Sequence, residues 1–193
     1  MSMDRKASIV QAAEKSFTLF GYKATTMDQV AKIANVGKGT IYTFFANKEQ
    51  LFDEILRKLI LEMRSIAERV IQDDKTFFDN LQAALYALLD FRRTHELTIK
   101  LTHEVRDMGT PQAMEGIQQI EGAVLSFIKR KVQEALDRGE IRPCDPEITA
   151  FVMLKLYVAF IYEWDRSHKP LSKEEIASLF RLYLLEGLAV DRA

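Results

Sequence analysis

The sequence predicts an all-α fold, and three observations carry that reading. Apolar residues recur three and four apart along almost the whole chain, the spacing of one helix face. No alternating apolar and polar run of strand length occurs. With only 8 Gly and 4 Pro in 193 residues, turns are scarce and helices are expected to be long. About nine helices are expected, as a small N-terminal head over residues 1–48 joined to a larger body over residues 49–193.

Each helix has its own signals. The first is expected over residues 4–20, with Ile9, Ala12, Ala13, Phe17 and Phe20 on one face and Gly21 as the stop just beyond it. Thr25 and Thr26 offer N-cap oxygens to a second short helix, TMDQVAKIANV, whose Val30, Ile33 and Ala34 are expected to face inward. Residues 35–37 form a turn, and GKGTIYTFF makes a third short helix. Asn47 caps a fourth, KEQLFDEILRKLILEMRSIAERVI, with Gln50 where a capping box takes Glu or Gln. Five more are expected over residues 76–94, 95–108, 111–138, 146–166 and 172–190, punctuated by Gly, Pro and Ser. No proline- or glycine-rich linker interrupts the fourth helix, so head and body are expected to be rigidly joined. Internal repeats and low-complexity segments are absent from the sequence.

Hydrophobic residues at 48% and charged residues at 28% fit a folded soluble chain and not a disordered or fibrous one. The formal net charge is −1, so any attraction to nucleic acid has to be local. Residues 1–48 hold seven Lys or Arg against three acids, a net +4, which leaves −5 for the rest. A basic head on an acidic body is the result. One cysteine, Cys144, excludes an internal disulfide, and with three scattered histidines it assembles no zinc site, so no metal or cofactor is expected. The opening MSMDRKASIV lacks the apolar core of a signal peptide, which makes a reducing cytoplasmic setting the expectation. The most apolar run, residues 148–164, contains Lys155 and Glu163 and falls short of the ~20 residues a membrane span needs. A buried helix is expected there.

Three short helices with the basic charge concentrated on them, the last two joined by a turn, have the layout of a helix-turn-helix DNA-binding head. The second helix of the pair enters the major groove. Its inner face must anchor it, a task for Ile41 with Phe44 or Phe45. Its outer face must carry side chains short enough for close approach, and Lys38, Thr40, Tyr42 and Thr43 stand there. Gly37 and Gly39 let the backbone come near phosphate.

Across residues 9–52, the succession IVQAAEKSFTLFGYKATTMDQVAKIANVGKGTIYTFFANKEQLF resembles the DNA-binding head of the TetR (tetracycline-repressor-like) transcriptional regulators. The matching elements are Ala12 and Ala13, the Phe20-Gly21-Tyr22 corner, Thr25-Thr26, the turn from Ile33-Ala34 to Val36, Gly39-Thr40-Ile41-Tyr42, and Phe44-Phe45 followed by Lys48-Glu49 and Leu51. By this resemblance Thr25 and Thr26 touch DNA phosphate at the start of the second helix. Lys38, Gly39 and Thr40 reach base edges or nearby phosphates, Tyr42 and Thr43 continue the contact, and Lys48 clamps phosphate from the fourth helix. Only the third-helix residues can then confer sequence choice. The resemblance also implies a homodimer on a near-palindromic operator of double-stranded DNA, with two heads about one turn, ~34 Å, apart. Repression is that family's usual mode.

The body is by the same resemblance a dimerisation and effector-binding domain. Its last two helices, residues 146–166 and 172–190, would build the dimer bundle. The first of these is apolar nearly all round and needs cover on two sides. The second carries Ile176, Leu179, Phe180, Tyr183, Leu184 and Leu188 at bundle spacing. A small-molecule pocket is expected among the middle helices, lined by Tyr86, Phe91, Leu101, His103, Glu104 and Met108, with Phe127, Tyr157, Phe160 and Trp164. Their aromatic and methionine content points to a hydrophobic effector, drug-like or acyl-chain-like. Its binding is expected to move the fourth helix and change the head spacing, so that DNA and effector oppose each other.

Catalytic alternatives fail on spacing. His103-Glu104-Val105-Arg106-Asp107 begins like HExxH but places Asp where the second imidazole ligand is required. Lys38 with its flanking glycines does not make GxxxxGK[ST], and no GxSxG nucleophile elbow is present. An enzyme is not expected. An all-α protein-binding adaptor that keeps the head fold would dispense with basic and hydroxyl residues on the third helix, and those are present. Cys144, in a loop beside Asp145 with only Arg142 near, is expected to be an inert thiol.

Overall fold

The computed structural model describes residues 2–94 and 96–185, with side chains over 5–91 and 96–184. Among these residues nine α-helices form: α1 (Ser2–Ala24), α2 (Met27–Ile33), α3 (Lys38–Phe44), α4 (Lys48–Val70), α5 (Phe77–Thr94), α6 (Glu96–Met108), α7 (Pro111–Asp137), α8 (Pro146–Val158) and α9 (Lys173–Phe180). A π-helical stretch, Ala159–Glu163, and a 3-10 turn, Trp164–Arg166, continue α8, and a second π-helical stretch, Arg181–Leu185, continues α9. The expected final helix extends past residue 185, so Leu188 lies outside the described residues. No helix of the described residues is long and apolar enough to cross a membrane.

Local chemistry accounts for the helix ends. Thr26 accepts a hydrogen bond from the Gln29 N–H at 3.2 Å and so caps α2. Asn47 Oδ1 accepts from the Gln50 N–H at 2.8 Å, while the Gln50 side chain accepts from the Ala46 N–H at 3.0 Å, one residue before the cap. Asp145 accepts from the N–H groups of Glu147 and Ile148, with Pro146 opening α8 where its missing N–H costs nothing. Ser172 and Glu175 form a reciprocal capping box ahead of α9.

The described residues part into two compact units. The first takes residues up to 62 together with 92–120, so α6 and the start of α7 join α1, α2, α3 and most of α4. Its core contains Ile9, Ala13 and Phe17 of α1, Val30 of α2, Ile41 of α3, Leu51, Phe52, Ile55 and Leu56 of α4, and Leu101 of α6. Burying each large side chain contributes about 1.5–3 kcal/mol, which holds α3 in place despite its seven residues. Phe17, Tyr22 and Phe52 form an aromatic trio with centroids 4.8–5.9 Å apart. Gly116 of α7 lies over the edge of that trio, and a Cβ there would meet the Phe52 ring at 3.0 Å.

Two inward assignments are corrected. Phe20 and Ile33 are both exposed. On α1 the buried face runs through Ile9, Ala13 and Phe17, four residues apart, and ends before Phe20. On α2 it runs through Met27, Val30 and Ala31, and Ile33 ends the helix on the other side.

The second unit holds residues 63–91 and those from 121 on. Phe77, Leu85 and Leu89 of α5, Val132 and Ala135 of α7, Met153 of α8, and Ile176, Ala177 and Phe180 of α9 share one buried cluster with Ile141 and Ile161. A carboxylate from the loop after α7 closes one end, where Glu140 accepts from the Phe77 N–H at 2.6 Å.

Candidate nucleic-acid interface

The turn between α2 and α3 depends on Asn35, which adopts φ 53°, a left-handed conformation that asparagine tolerates better than most residues. The Val36 N–H then donates back to the Ala31 carbonyl at 3.0 Å. Gly37 is extended and opens α3 without a side-chain cap. Ile41 is fully buried and Phe45 nearly so, and these two pin the inner face of α3.

The outer face is free. Tyr42 is 45% exposed, and Lys38, Gly39 and Thr43 are exposed beside a half-buried Thr40. A Cβ on Gly39 would meet nothing within 4 Å, so the space over this residue is open on the protein side. The Thr43 hydroxyl donates to the Thr40 carbonyl at 2.7 Å, which leaves its lone pairs and methyl outward. Lys38 Nζ lies 2.9 Å from Asp28 Oδ2 on α2, and this partner is the first cause raising the Lys38 pKa above its ordinary value. Asp28 escaped the sequence reading. Its position ten residues before Lys38, across a turn, gives no periodic signal.

A polar cluster ties the end of α1 to the start of α4. Lys48 Nζ donates to the carbonyls of Tyr22 at 3.0 Å and Thr25 at 3.1 Å and sits 4.2 Å over the Tyr22 ring. Two of its three N–H donors are engaged in these bonds among the described residues. The Tyr22 hydroxyl donates to Glu49 at 2.7 Å. That bond is the first cause holding the Glu49 carboxyl below its ordinary value, while burial first, and Glu49 second, push the Tyr22 phenol up.

Thr25 requires a correction. It has no exposed surface; its hydroxyl donates to the Gly21 carbonyl at 2.8 Å and shares a 3.1 Å hydrogen bond with Ser16. No phosphate can reach it. Thr26 beside it is exposed, although its oxygen is engaged as the α2 cap.

The expected effector residues fall in both units. In the first, Leu101 is core, His103 is exposed and Met108 is 63% exposed. Glu104 is the sharpest departure. Rather than facing a pocket, it is buried and accepts from the N–H groups of Tyr22 at 2.6 Å and Lys23 at 2.9 Å. In the second unit Tyr157 and Phe160 pack on the cluster half-buried, and Phe160 meets Phe180 edge to face at 6.1 Å. Tyr86, Phe91 and Phe127 are also half-buried, Tyr86 under Lys173 Nζ at 4.6 Å and Phe127 beside the Arg130 guanidinium. Trp164 is 40% exposed and stacks on His168 at 3.9 Å, so like Met108 it lies at the surface of its unit instead of lining an enclosed space.

A pinned helix with an open polar outer face, set after a capped helix and a tight turn, defines a helix-turn-helix DNA-binding regulator. Residues 9–55 match the family of bacterial regulatory proteins called tetR, and residues 74–188 match the tetracyclin repressor-like C-terminal domain. The chain belongs to the tetR family of transcriptional regulators. It is 55% identical over 191 residues to the uncharacterised HTH-type transcriptional regulator YhgD of Bacillus subtilis (strain 168), covering 99% of this chain and 100% of that one. SmeT, the repressor of the Stenotrophomonas maltophilia multidrug efflux pump SmeDEF, shares the fold in its triclosan complex, with a TM-score of 0.80 at 20% identity over 98% of this chain and 93% of that chain. AibR in complex with isovaleryl coenzyme A and operator DNA is similar at a TM-score of 0.63 and 27% identity, over 91% of this chain and 95% of that chain.

Proposed function

We propose that the chain is a homodimeric repressor that binds a near-palindromic operator through α3 and is released by a small hydrophobic effector. The observation that carries the DNA-binding half is the division of α3: Ile41 and Phe45 are buried, while Lys38, Gly39, Tyr42 and Thr43 face out. Lys38 and Thr40 read bases, Tyr42, Thr43 and Thr26 hold backbone, and the remaining N–H of Lys48 reaches phosphate. Gly39 keeps the approach clear.

Dimerisation is supported by the exposed apolar side chains of the second unit. Ile148, Phe151 and Val152 on α8, with Leu182 and Tyr183 after α9, stand exposed although α8 already buries Ala150, Met153 and Leu154. A helix apolar on both sides calls for a second cover, and the same face of another copy supplies it. The effector class rests on the aromatic side chains around Tyr157 and Phe160, and AibR's complex with an acyl thioester shows that a relative of this fold accepts such a ligand. Effector binding displaces α4, which contributes residues to both units, and thereby changes the head spacing.

Selection of bound fragments from the source genome, followed by mobility shift, tests this reading. The expected product is a family of fragments sharing an inverted repeat bound by a dimer. Fragments with no shared sequence, or binding as a monomer to a single half-site, would contradict it. Calorimetry with acyl thioesters and drug-like aromatics against polar metabolites tests the effector class, and binding of the polar compounds alone would overturn it.

A further inference from the structure

Glu104 is a carboxylate buried on α6, in line with Leu97 and Leu101 on the helix face that packs into the first unit. Its two oxygens take separate amides: Oε2 accepts from Tyr22 at 2.6 Å and Oε1 from Lys23 at 2.9 Å. Those amides follow Gly21, which breaks α1 with φ 82° and ψ 175°. Glycine is demanded there twice over. The positive φ disfavours any other residue, and a Cβ at this position would stand 2.2 Å from Glu104 Oε2. The break and the carboxylate fit one another across 82 residues of sequence.

We propose that Glu104 is a positioning residue for DNA binding, a latch by which α6 sets the orientation of α1 and, through it, of the α2–α3 pair. The proposal rests on the operator reading above and adds its regulation. A charge-assisted pair of this length tolerates little travel. A displacement of α6 by about 1 Å along these bonds would lengthen them to roughly 3.6 and 3.9 Å, beyond hydrogen-bonding range. Once out, the carboxylate is buried without its donors, a costly state, so the latch is held or released and not graded. Lys48 grips the same corner from α4 through the Tyr22 and Thr25 carbonyls, so α6 holds the amides and α4 the carbonyls of one short segment. Movement of either helix bears on the head at this point.

The test uses the full chain carrying Glu104→Ala, with two readouts. Spin labels at positions 32 on α2 and 106 on α6, in a Cys144→Ala background, report the α2–α6 distance distribution. A genome-selected operator and a fragment carrying only one half-site report DNA binding. The latch predicts a broadened distribution, an affinity for the full repeat lower by roughly tenfold or more because two heads must engage together, and half-site affinity unchanged. An unchanged distribution overturns the proposal, and so does equal weakening on both fragments, which marks a role in head folding alone. If wild type does not prefer the repeat to the half-site, the dimeric-operator reading fails, and the distance distribution alone decides the latch. Should Glu104→Ala not fold, Glu104→Gln, which keeps the volume and one acceptor, takes the same measurements with the same outcomes expected.

Discussion

Lys38 Nζ, on the first residue of α3, is tethered 2.9 Å from Asp28 Oδ2 on the helix before it. On the proposed reading, an operator phosphate or base competes with this carboxylate for the ammonium, and the carboxylate itself repels the DNA backbone. Both side chains are more than half exposed, so the pair adds little to folding stability. Its effect falls on binding. Asp28→Asn should raise affinity for unrelated DNA by about fivefold and narrow the gap between operator and competitor, because it removes a negative charge that repels any DNA backbone whatever its sequence. Competition mobility shifts at two salt concentrations check this; an unchanged ratio of operator to competitor affinity would remove Asp28 from the specificity account.

Thr25 shows what happens when a hydroxyl next to a cap turns inward. Thr25→Val keeps its shape but leaves the Gly21 carbonyl and the Ser16 hydroxyl without their partner. Urea unfolding should show a loss of about 1–2 kcal/mol, while operator preference and salt dependence stay as in wild type. A changed salt slope would return Thr25 to the DNA contact.

The Tyr22–Glu49 hydrogen bond gives the head a pH signature. Glu49 has a depressed pKa, so its stabilisation is complete above its ordinary 4.5 and is lost as pH falls through the lower folded value. Tyr22 has a raised pKa, so its contribution is complete below its ordinary 10.0 and is lost as pH rises above it. Tyr22→Phe should therefore be less stable than wild type at neutral pH, and the two stability curves should converge in acid and again in alkali. Urea midpoints across pH give the comparison. Parallel curves would show that the bond is not made in solution.

Gly116 and Gly122 lie on the same helix and should respond oppositely to alanine. At Gly116 the new methyl would press on Phe52 and Leu56, and the Phe52 ring is already packed against Phe17 and Tyr22. Overpacking at ~1–3 kcal/mol outweighs the helix-propensity gain of up to ~1 kcal/mol, for a net loss of about 1 kcal/mol. Gly122 is exposed with nothing within 4 Å of a Cβ, and alanine there should gain about 0.5–1 kcal/mol. Thermal unfolding of the two variants, with shifts of opposite sign, is the expected outcome.

Much of the head was legible because its signals are local. Gly21 as the point where the first helical run stops, a cap within Thr25-Thr26, Asn47 as a second cap, and Ile41 as an anchor with Phe44 or Phe45 all follow from periodicity and capping chemistry within a few residues. Thr25 was misplaced because two adjacent threonines before a helix look alike in sequence, and only packing decides which hydroxyl turns in. Phe20 and Ile33 were misplaced because apolar spacing near a helix end does not say where the buried face stops. Glu104 stands beside His103 in the sequence, yet its partners lie 81 and 82 residues away, beyond any local pattern. That contact also carries α6 into the first unit, an arrangement no composition shift or linker announces.

The central claim is that the outer face of α3 reads DNA. Its most direct test is operator and competitor affinity for Lys38→Ala, Thr40→Ala and Tyr42→Ala measured side by side. The expected result is that Tyr42→Ala weakens every sequence about equally, whereas the changes at Lys38 and Thr40 alter which sequence is preferred. Equal losses from all three substitutions on every fragment would contradict the placement of the base-reading face.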